Sequence, residues 1–301
     1  MSPKVTDFNL EEIQVYIDAT LGVIFTMINI IQIIVICRMK RAKKIFEMFI
    51  LSLSIADFLF SFSNALIAFV YLSGIGIYEV LEFTYATYLF FILTSLMHLL
   101  WIALDRLWAV HKPLKHLHMV TKKRANIVLF ATWVLTLIAA ISVFIVDVII
   151  DANELADSTK GLNLTGPTTP IVYNGTSEMS LNITNTNSVN NANNGSKHGL
   201  KWIVQFTLST IILLGNLIYC IAYSCLIFFL QKRRKRNLAS HADRRATFTC
   251  LFLAGSFVSL TSPYPFTFFV TGDIPFWVTF MLLSNSGFNS IIYLWRNAKC
   301  T

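Results

Sequence analysis

Seven stretches of this 301-residue chain are each apolar for long enough to cross a membrane. A hydrocarbon core about 30 Å thick needs roughly 20 helical residues, and the candidate spans are Ile13 to Cys37, Ile45 to Leu72, Val80 to Val110, Ala125 to Ile150, Trp202 to Leu230, Ala246 to Thr271 and Pro275 to Trp295. Backbone polar groups in lipid must be satisfied within the segment, so each run is expected to be a helix. The predicted fold is an all-α membrane protein, a seven-transmembrane helix bundle. Composition agrees: 55% of residues are hydrophobic, 13% charged and the mean hydropathy is +0.62, more apolar surface than a soluble core of this length hides. Before the first run lie Asp7, Glu11 and Glu12, so it lacks the basic start and small-residue cleavage site of a removable signal peptide.

The cations are sorted between the two sides. Of the 24 Lys and Arg, Lys4, Lys160, Lys197 and Lys201 fall in segments on one side, and the other 20 fall on the opposite side, in Arg38 to Lys44, Arg106 to Arg124, Lys232 to Arg245 and the end of the chain. The positive-inside rule makes that second side cytoplasmic. The N-terminus (1–12) is then outside and the tail (296–301) inside, around a seven-helix domain spanning 13–295. Basic loops beside anionic lipid account for the pI near 9.3, and no nucleic-acid partner is implied.

The segment 151–199 is rich in Asn, Thr, Ser and Gly and reads as a long flexible loop. It carries four N-x-Ser/Thr glycosylation acceptors, Asn163, Asn174, Asn182 and Asn194, consistent with an outside location. The five cysteines lie in membrane runs or on the inner side, with neither a disulfide framework nor metal-ligand spacing.

Polar residues inside the runs carry the functional signal, because an ionisable group in hydrocarbon is costly unless paired or wetted. Asp57 sits half-way along the second run, and Asp105 and Arg106 end the third. Ser95 lies about 16 Å above Arg106, level with Asp57. In the last run Asn285 and Asn289, four residues apart, share a face with Ser286 beside it. Asp57, Ser95, Asn285, Ser286 and Asn289, joined by Asn29 of the first run, bring one carboxylate and many oxygens to similar depth. That set suits either a hydrated monovalent cation, a candidate sodium site, or a water-filled polar network. Arg106 read alone is a snorkelling boundary residue.

These residues in this order resemble the rhodopsin-like (class A) G-protein-coupled receptors. Asn29 and Asp57 are spaced as that family's polar pair of helices one and two, Leu104 to Leu107 (LDRL) is similar to its D-R-Y, Trp133 matches the fourth-helix tryptophan, and Asn285 to Tyr293 (NSGFNSIIY) is similar to its N-P-x-x-Y, with Ser290 in place of proline. The resemblance implies an activation switch. Arg106 would bond Asp105 and also Asp243, twenty residues before the sixth-helix Pro263, and Tyr223 and Tyr293 would pack under Arg106 in the active state, with Asn289 in the same signature. Read without the family, Asp243 is an acid in the first turn of a helix, favoured by the dipole. The resemblance further implies a ligand cavity lined by Tyr85, Tyr88, Ile92, Thr261, Tyr264, Phe268, Thr279 and Leu283. Tyr88 stands where amine receptors carry Asp, and Leu283 where opsins carry the retinal lysine.

The departures are on the outer half. Leu81 replaces the third-helix cysteine and 151–199 has no Cys, so the family's disulfide is excluded. The C-W-x-P of helix six reads Leu260, Thr261, Ser262, Pro263, and the fifth-helix proline is Gly215. The resemblance predicts a multi-pass plasma-membrane receptor that takes an extracellular small molecule or peptide and couples to a heterotrimeric G protein. It predicts no cofactor beyond the candidate allosteric sodium ion. The alternative is a seven-helix ion-coupled transporter or channel using Asp57, although no internal repeat supports it. An enzyme is not expected: His111, His116 and His118 lie among Lys112, Pro113 and Lys115 in a loop without nearby acids, are expected to be solvated, and no nucleophile-base arrangement is visible.

Overall fold

The computed structural model describes residues 10–38, 45–74, 77–163, 186–235, 241–272 and 275–298. The described residues form nine helices: α1 (Leu10–Arg38), α2 (Ile45–Leu72), α3 (Ile77–His111), α4 (Pro113–Met119), α5 (Lys122–Asn163), α6 (Thr186–Lys235), α7 (His241–Thr261), α8 (Pro263–Thr271) and α9 (Phe276–Ala298). Seven of the predicted runs are covered, the sixth by α7 and α8 together. Five helices are apolar enough over a sufficient length to cross a membrane: α1, α2, α3, α5 and α6. The α9 helix is less apolar because Ser284, Asn285, Ser286, Asn289 and Ser290 interrupt it, and all five are buried against the bundle.

Three boundaries differ from the sequence reading. The sixth run breaks at Ser262, because Pro263 has no N–H to continue the ladder and its ring crowds the preceding turn. The loop expected over 151–199 is helical at both ends, since α5 continues to Asn163 and α6 begins at Thr186; once a helix is nucleated each further residue adds a bond cheaply, and the first proline of the segment is Pro167. The polar stretch after His111 was expected to be a solvated loop, yet it holds α4. Pro113 supplies the first helical position of α4, and Lys112, pushed out of the α region as residues before proline are, turns the chain at φ −135° and ψ 72°.

The α3 helix is the axis, touching α2, α4, α5, α6 and α7, while α9 closes the ring against α1, α2 and α7. Small residues set the closest approaches, as is usual between membrane helices. A Cβ on Gly22 of α1 would lie 2.9 Å from the backbone nitrogen of Ala65 in α2, and one on Gly287 of α9 would overlap the Phe25 ring. The largest buried cluster fills the end of the bundle that carries the basic segments, joining Phe46, Leu99, Ile102, Tyr219, Tyr223, Leu253 and Tyr293. A αL cap at Gly272, φ 73°, ends α8, its N–H donating to the Phe268 carbonyl at 2.9 Å.

Candidate functional site

Mid-bundle, Asp57 is 2% exposed and accepts two hydrogen bonds: from the Ser95 hydroxyl of α3 at 3.2 Å and from Asn289 Nδ2 of α9 at 3.0 Å. Both donors are neutral. Asn289 Oδ1 and Asn285 Oδ1 are buried without a hydrogen-bond partner, and a void of about 10 Å³ touches Asp57, Ser95, Thr261 and Asn285. The structure therefore brings together Asp57, Ser95 and Asn289 and places Asn285 at the same void. Two predicted members are engaged elsewhere. Ser286 lies 2.8 Å from the Ser61 hydroxyl and donates to the Leu283 carbonyl at 3.0 Å, while Asn29 accepts from Ser290. With serine where the family has proline, α9 runs unbroken and gains that link to α1.

At the basic end of α3, Arg106 Nε and Nη2 reach Asp105 Oδ2 at 3.0 and 2.5 Å. Both donors chelate one oxygen, so Oδ1 stays free for a second partner. That partner is His116 of α4, Nε2 to Oδ1 at 2.9 Å, so His116 corrects the expectation of a solvated histidine: the Lys112–Pro113 turn swings α4 back onto the end of α3. His111 packs on Phe229 of α6 with ring centroids 4.5 Å apart. The Arg106 guanidinium also lies 4.7 Å over the Phe46 ring, and Arg296 lies 5.2 Å over the same ring.

Arg296 belongs to a second ion pair that sequence reasoning missed. Its Nη2 donates to Glu47 Oε1 at 3.1 Å, and Tyr293 donates its hydroxyl to Glu47 Oε2. Glu47 is 3% exposed. The available signal was an acid within IFEMFIL at the start of one run and a lone arginine closing the last. Tyr223, the other predicted tyrosine, is buried and accepts from Tyr219 at 3.5 Å. Asp243 falls in α7, but its side chain lies outside the described residues, as do those of Tyr85, Asn163 and Asn194. Asn174 and Asn182 lie outside them entirely.

A second network was also unforeseen. His98 is fully buried, with Nδ1 2.7 Å from the Thr94 carbonyl and Nε2 2.7 Å from Ser52 Oγ, and Trp133 Nε1 donates to the same Oγ at 3.0 Å. The carbonyl can only accept, which puts the ring proton on Nδ1 and makes Nε2 the acceptor of the serine hydroxyl. One relay, Trp133 to Ser52 to His98 to Thr94, joins α5, α2 and α3.

Of the predicted ligand residues, Tyr88, Ile92 and Tyr264 share one apolar cluster. Leu283 is buried beside Phe25, Phe60 and Phe91. Phe268 is buried, Thr279 half-buried, and Thr261 points its hydroxyl at the Phe257 carbonyl (2.8 Å) and Asn216 Oδ1 (3.2 Å).

Residues 28–155, which hold Asn29, Asp57, Ser95, Asp105, Arg106 and Trp133, match the sequence model of the 7 transmembrane receptor (rhodopsin family). The chain is also 31% identical over 131 residues to melanopsin of Felis catus. Over that stretch the chain is similar to rhodopsin-family receptors. The similarity to melanopsin covers 39% of this chain and 26% of that relative, so the chain spans about a quarter of the curated protein it matches. The matched stretch contains the two buried nodes just described, one around Asp57 and one around Asp105 and Arg106.

Proposed function

We propose that this protein is a rhodopsin-like, class A receptor that lies in the plasma membrane with its N-terminus outside and its C-terminus inside, binds an extracellular small molecule or peptide within the bundle, and activates a heterotrimeric G protein through outward movement of α7. The observation that carries this reading is the Asp105–Arg106 pair at the inner end of α3. A guanidinium held by a carboxylate beside a sealed aromatic cluster is a contact with two settings, and a few kcal/mol of ligand binding suffices to shift such an equilibrium. Asp243, at the start of α7, is the second carboxylate of the latch. Ligand contacts come from Tyr85, Tyr88, Ile92, Thr261, Tyr264, Phe268, Thr279 and Leu283. The absence of lysine from α9 and the leucine at 283 favour a ligand other than a Schiff-base retinal. Glycans on Asn163, Asn174, Asn182 and Asn194 complete the outside face.

Sodium fits the Asp57 node. The carboxylate has only neutral donors, and Asn285 Oδ1 and Asn289 Oδ1 are buried oxygens without partners, the hard-oxygen chemistry a monovalent cation takes. Asp57, Ser95, Asn285 and Asn289 would hold the ion, which would supply the missing positive charge.

Guanine-nucleotide exchange on reconstituted G protein tests the main reading. Wild type is expected to catalyse exchange, and Arg106→Ala to abolish it. Ion flux that disappears in Asp57→Asn, with no exchange by either form, would establish a transporter or channel instead.

A further inference from the structure

A cavity of about 500 Å³ lies where α3, α4 and α5 meet at the basic end of the bundle, beside the latch, whose Asp105 forms part of its wall, and outside the predicted ligand cavity. Its volume is in the range that holds a drug-sized or acyl ligand. Apolar Trp101, Leu104, Val128 and Phe229 line it together with the exposed Trp108, His111 and Arg124. We infer that this cavity is a specific site for an anionic phospholipid, with an acyl chain among the apolar side chains and the phosphate at Arg124.

The electrostatics select the sign of the headgroup. Asp105 is the acid in the cavity wall, and both its oxygens are already engaged, Oδ2 by Arg106 and Oδ1 by His116. It therefore offers no counter-ion to an incoming cation. Arg124 donates Nη1 to the Met119 carbonyl at 2.7 Å, which fixes the guanidinium without neutralising it. Lys122 and Lys123 beside it are exposed, and all three open α5. A cluster of cations at a helix start, next to an apolar cavity at membrane depth, complements a negative headgroup. Trp108, 41% exposed at the end of its span, sits where indoles anchor at the lipid–water boundary. The cavity opens between exposed apolar residues, Leu104 among them, so a chain can enter sideways from the bilayer.

Purified receptor in discs of phosphatidylcholine is compared with receptor in discs also containing phosphatidylserine. The anionic lipid is expected to raise Tm of the wild type. Arg124→Gln should lose about fivefold of the preference for the anionic lipid, the contribution of one cation beside an anionic surface. Val128→Trp, which fills the cavity and changes no charge, should lose the shift, and Arg38→Gln, an exposed cation at the end of α1, should keep it. An equal loss in Arg124→Gln and Arg38→Gln, or a full shift in Val128→Trp, overturns the site in favour of diffuse surface charge. A second measurement stands if Val128→Trp does not fold. Brominated chains on phosphatidylserine should quench wild-type tryptophan fluorescence more than the same chains on phosphatidylcholine, with the excess lost in Trp108→Phe; equal quenching by the two lipids overturns the inference.

Discussion

The two buried carboxylate nodes of this protein solve one problem in different ways. Asp57, in mid-bundle, is bonded to a serine and an asparagine, neither of which carries charge. Glu47 and Asp105, at the basic end, each face a guanidinium within the protein. A carboxylate taken out of water costs several kcal/mol unless an opposite charge compensates it. The basic end thus carries its compensation in its own side chains, and the bonded partners of the mid-bundle carboxylate are uncharged. The contrast teaches where this molecule can respond to its surroundings. The node at the basic end is compensated by its own side chains, while the middle node has two neutral donors and is the place where the proposed sodium ion would act.

The largest expected effect comes from breaking self-sufficiency. Removing Arg296 leaves Glu47, 3% exposed, with the Tyr293 hydroxyl as its remaining bonded partner. Arg296→Ala should therefore destabilise the receptor by about 3–5 kcal/mol, the usual consequence of stranding one member of a buried pair. Adding Glu47→Gln to it should restore most of the loss, because the stranded charge is gone. Thermal unfolding of single and double variants in the same detergent decides it. An Arg296→Ala protein that melts with the wild type would mean Glu47 has other compensation, and the contrast with Asp57 would collapse.

The middle node predicts the opposite sign. Sodium chloride should stabilise the wild type over choline chloride by about 2.7 kcal/mol at a hundredfold excess over Kd, read as a higher Tm. Asp57→Asn should abolish that difference. Without sodium the variant should be at least as stable as the wild type, since it removes an uncompensated carboxylate. A wild-type Tm that is the same in both salts would show that the node is complete with water alone.

Much of this architecture was legible in the chain. Hydrophobic run length placed seven helical runs, and five of the helices found there are long and apolar enough to cross a membrane. Polar residues at matching depth drew Asp57, Ser95 and Asn289 into one node before any contact was known. What could not be read was pairing across elements far apart in sequence. Glu47 and Arg296 are separated by 249 positions, and nothing local marks either as the partner of the other. His116 was misread for a related reason: its solvated appearance follows from its neighbours, and its bond to Asp105 follows from the turn that Lys112 and Pro113 impose. His98 carried no reading in the sequence, because periodicity reports burial and is silent on which hydroxyl a ring will meet.

Helix packing gives a third, smaller effect that does not depend on charge at all. Gly22→Ala would place a methyl 2.9 Å from the Ala65 nitrogen and 3.0 Å from the Ser61 carbonyl. Backbone cannot swing aside as a side chain can, so α1 must retreat from α2, at about 1–3 kcal/mol. Ser61 is also bonded to Ser286, one turn from Asn289, so the shift should weaken the sodium response as well as Tm. Unchanged Tm with an unchanged sodium response would show that the α1–α2 contact does not support the middle node.

The smallest effect is expected at the break between α7 and α8, and its size is itself the test. Thr261 carries one hydroxyl proton, shared between the Phe257 carbonyl at 2.8 Å and Asn216 Oδ1 at 3.2 Å. The nearer acceptor belongs to its own helix. Asn216 in turn reaches Ser262 at 3.5 Å, the limit of a hydrogen bond. The link from α6 to α7 is therefore weak, and interhelical hydrogen bonds in membranes average only about 0.6 kcal/mol. Thr261→Val keeps the side-chain shape and should lower stability by no more than roughly that amount. The bond spans the two helices at the point where Pro263 bends the chain, so even this small change should raise ligand-independent nucleotide exchange by about two- to threefold, the Boltzmann equivalent of the same energy. A loss as large as that of Arg296→Ala would place the self-sufficient node here rather than at the basic end. No change in exchange would mean that the bend is set by the proline alone.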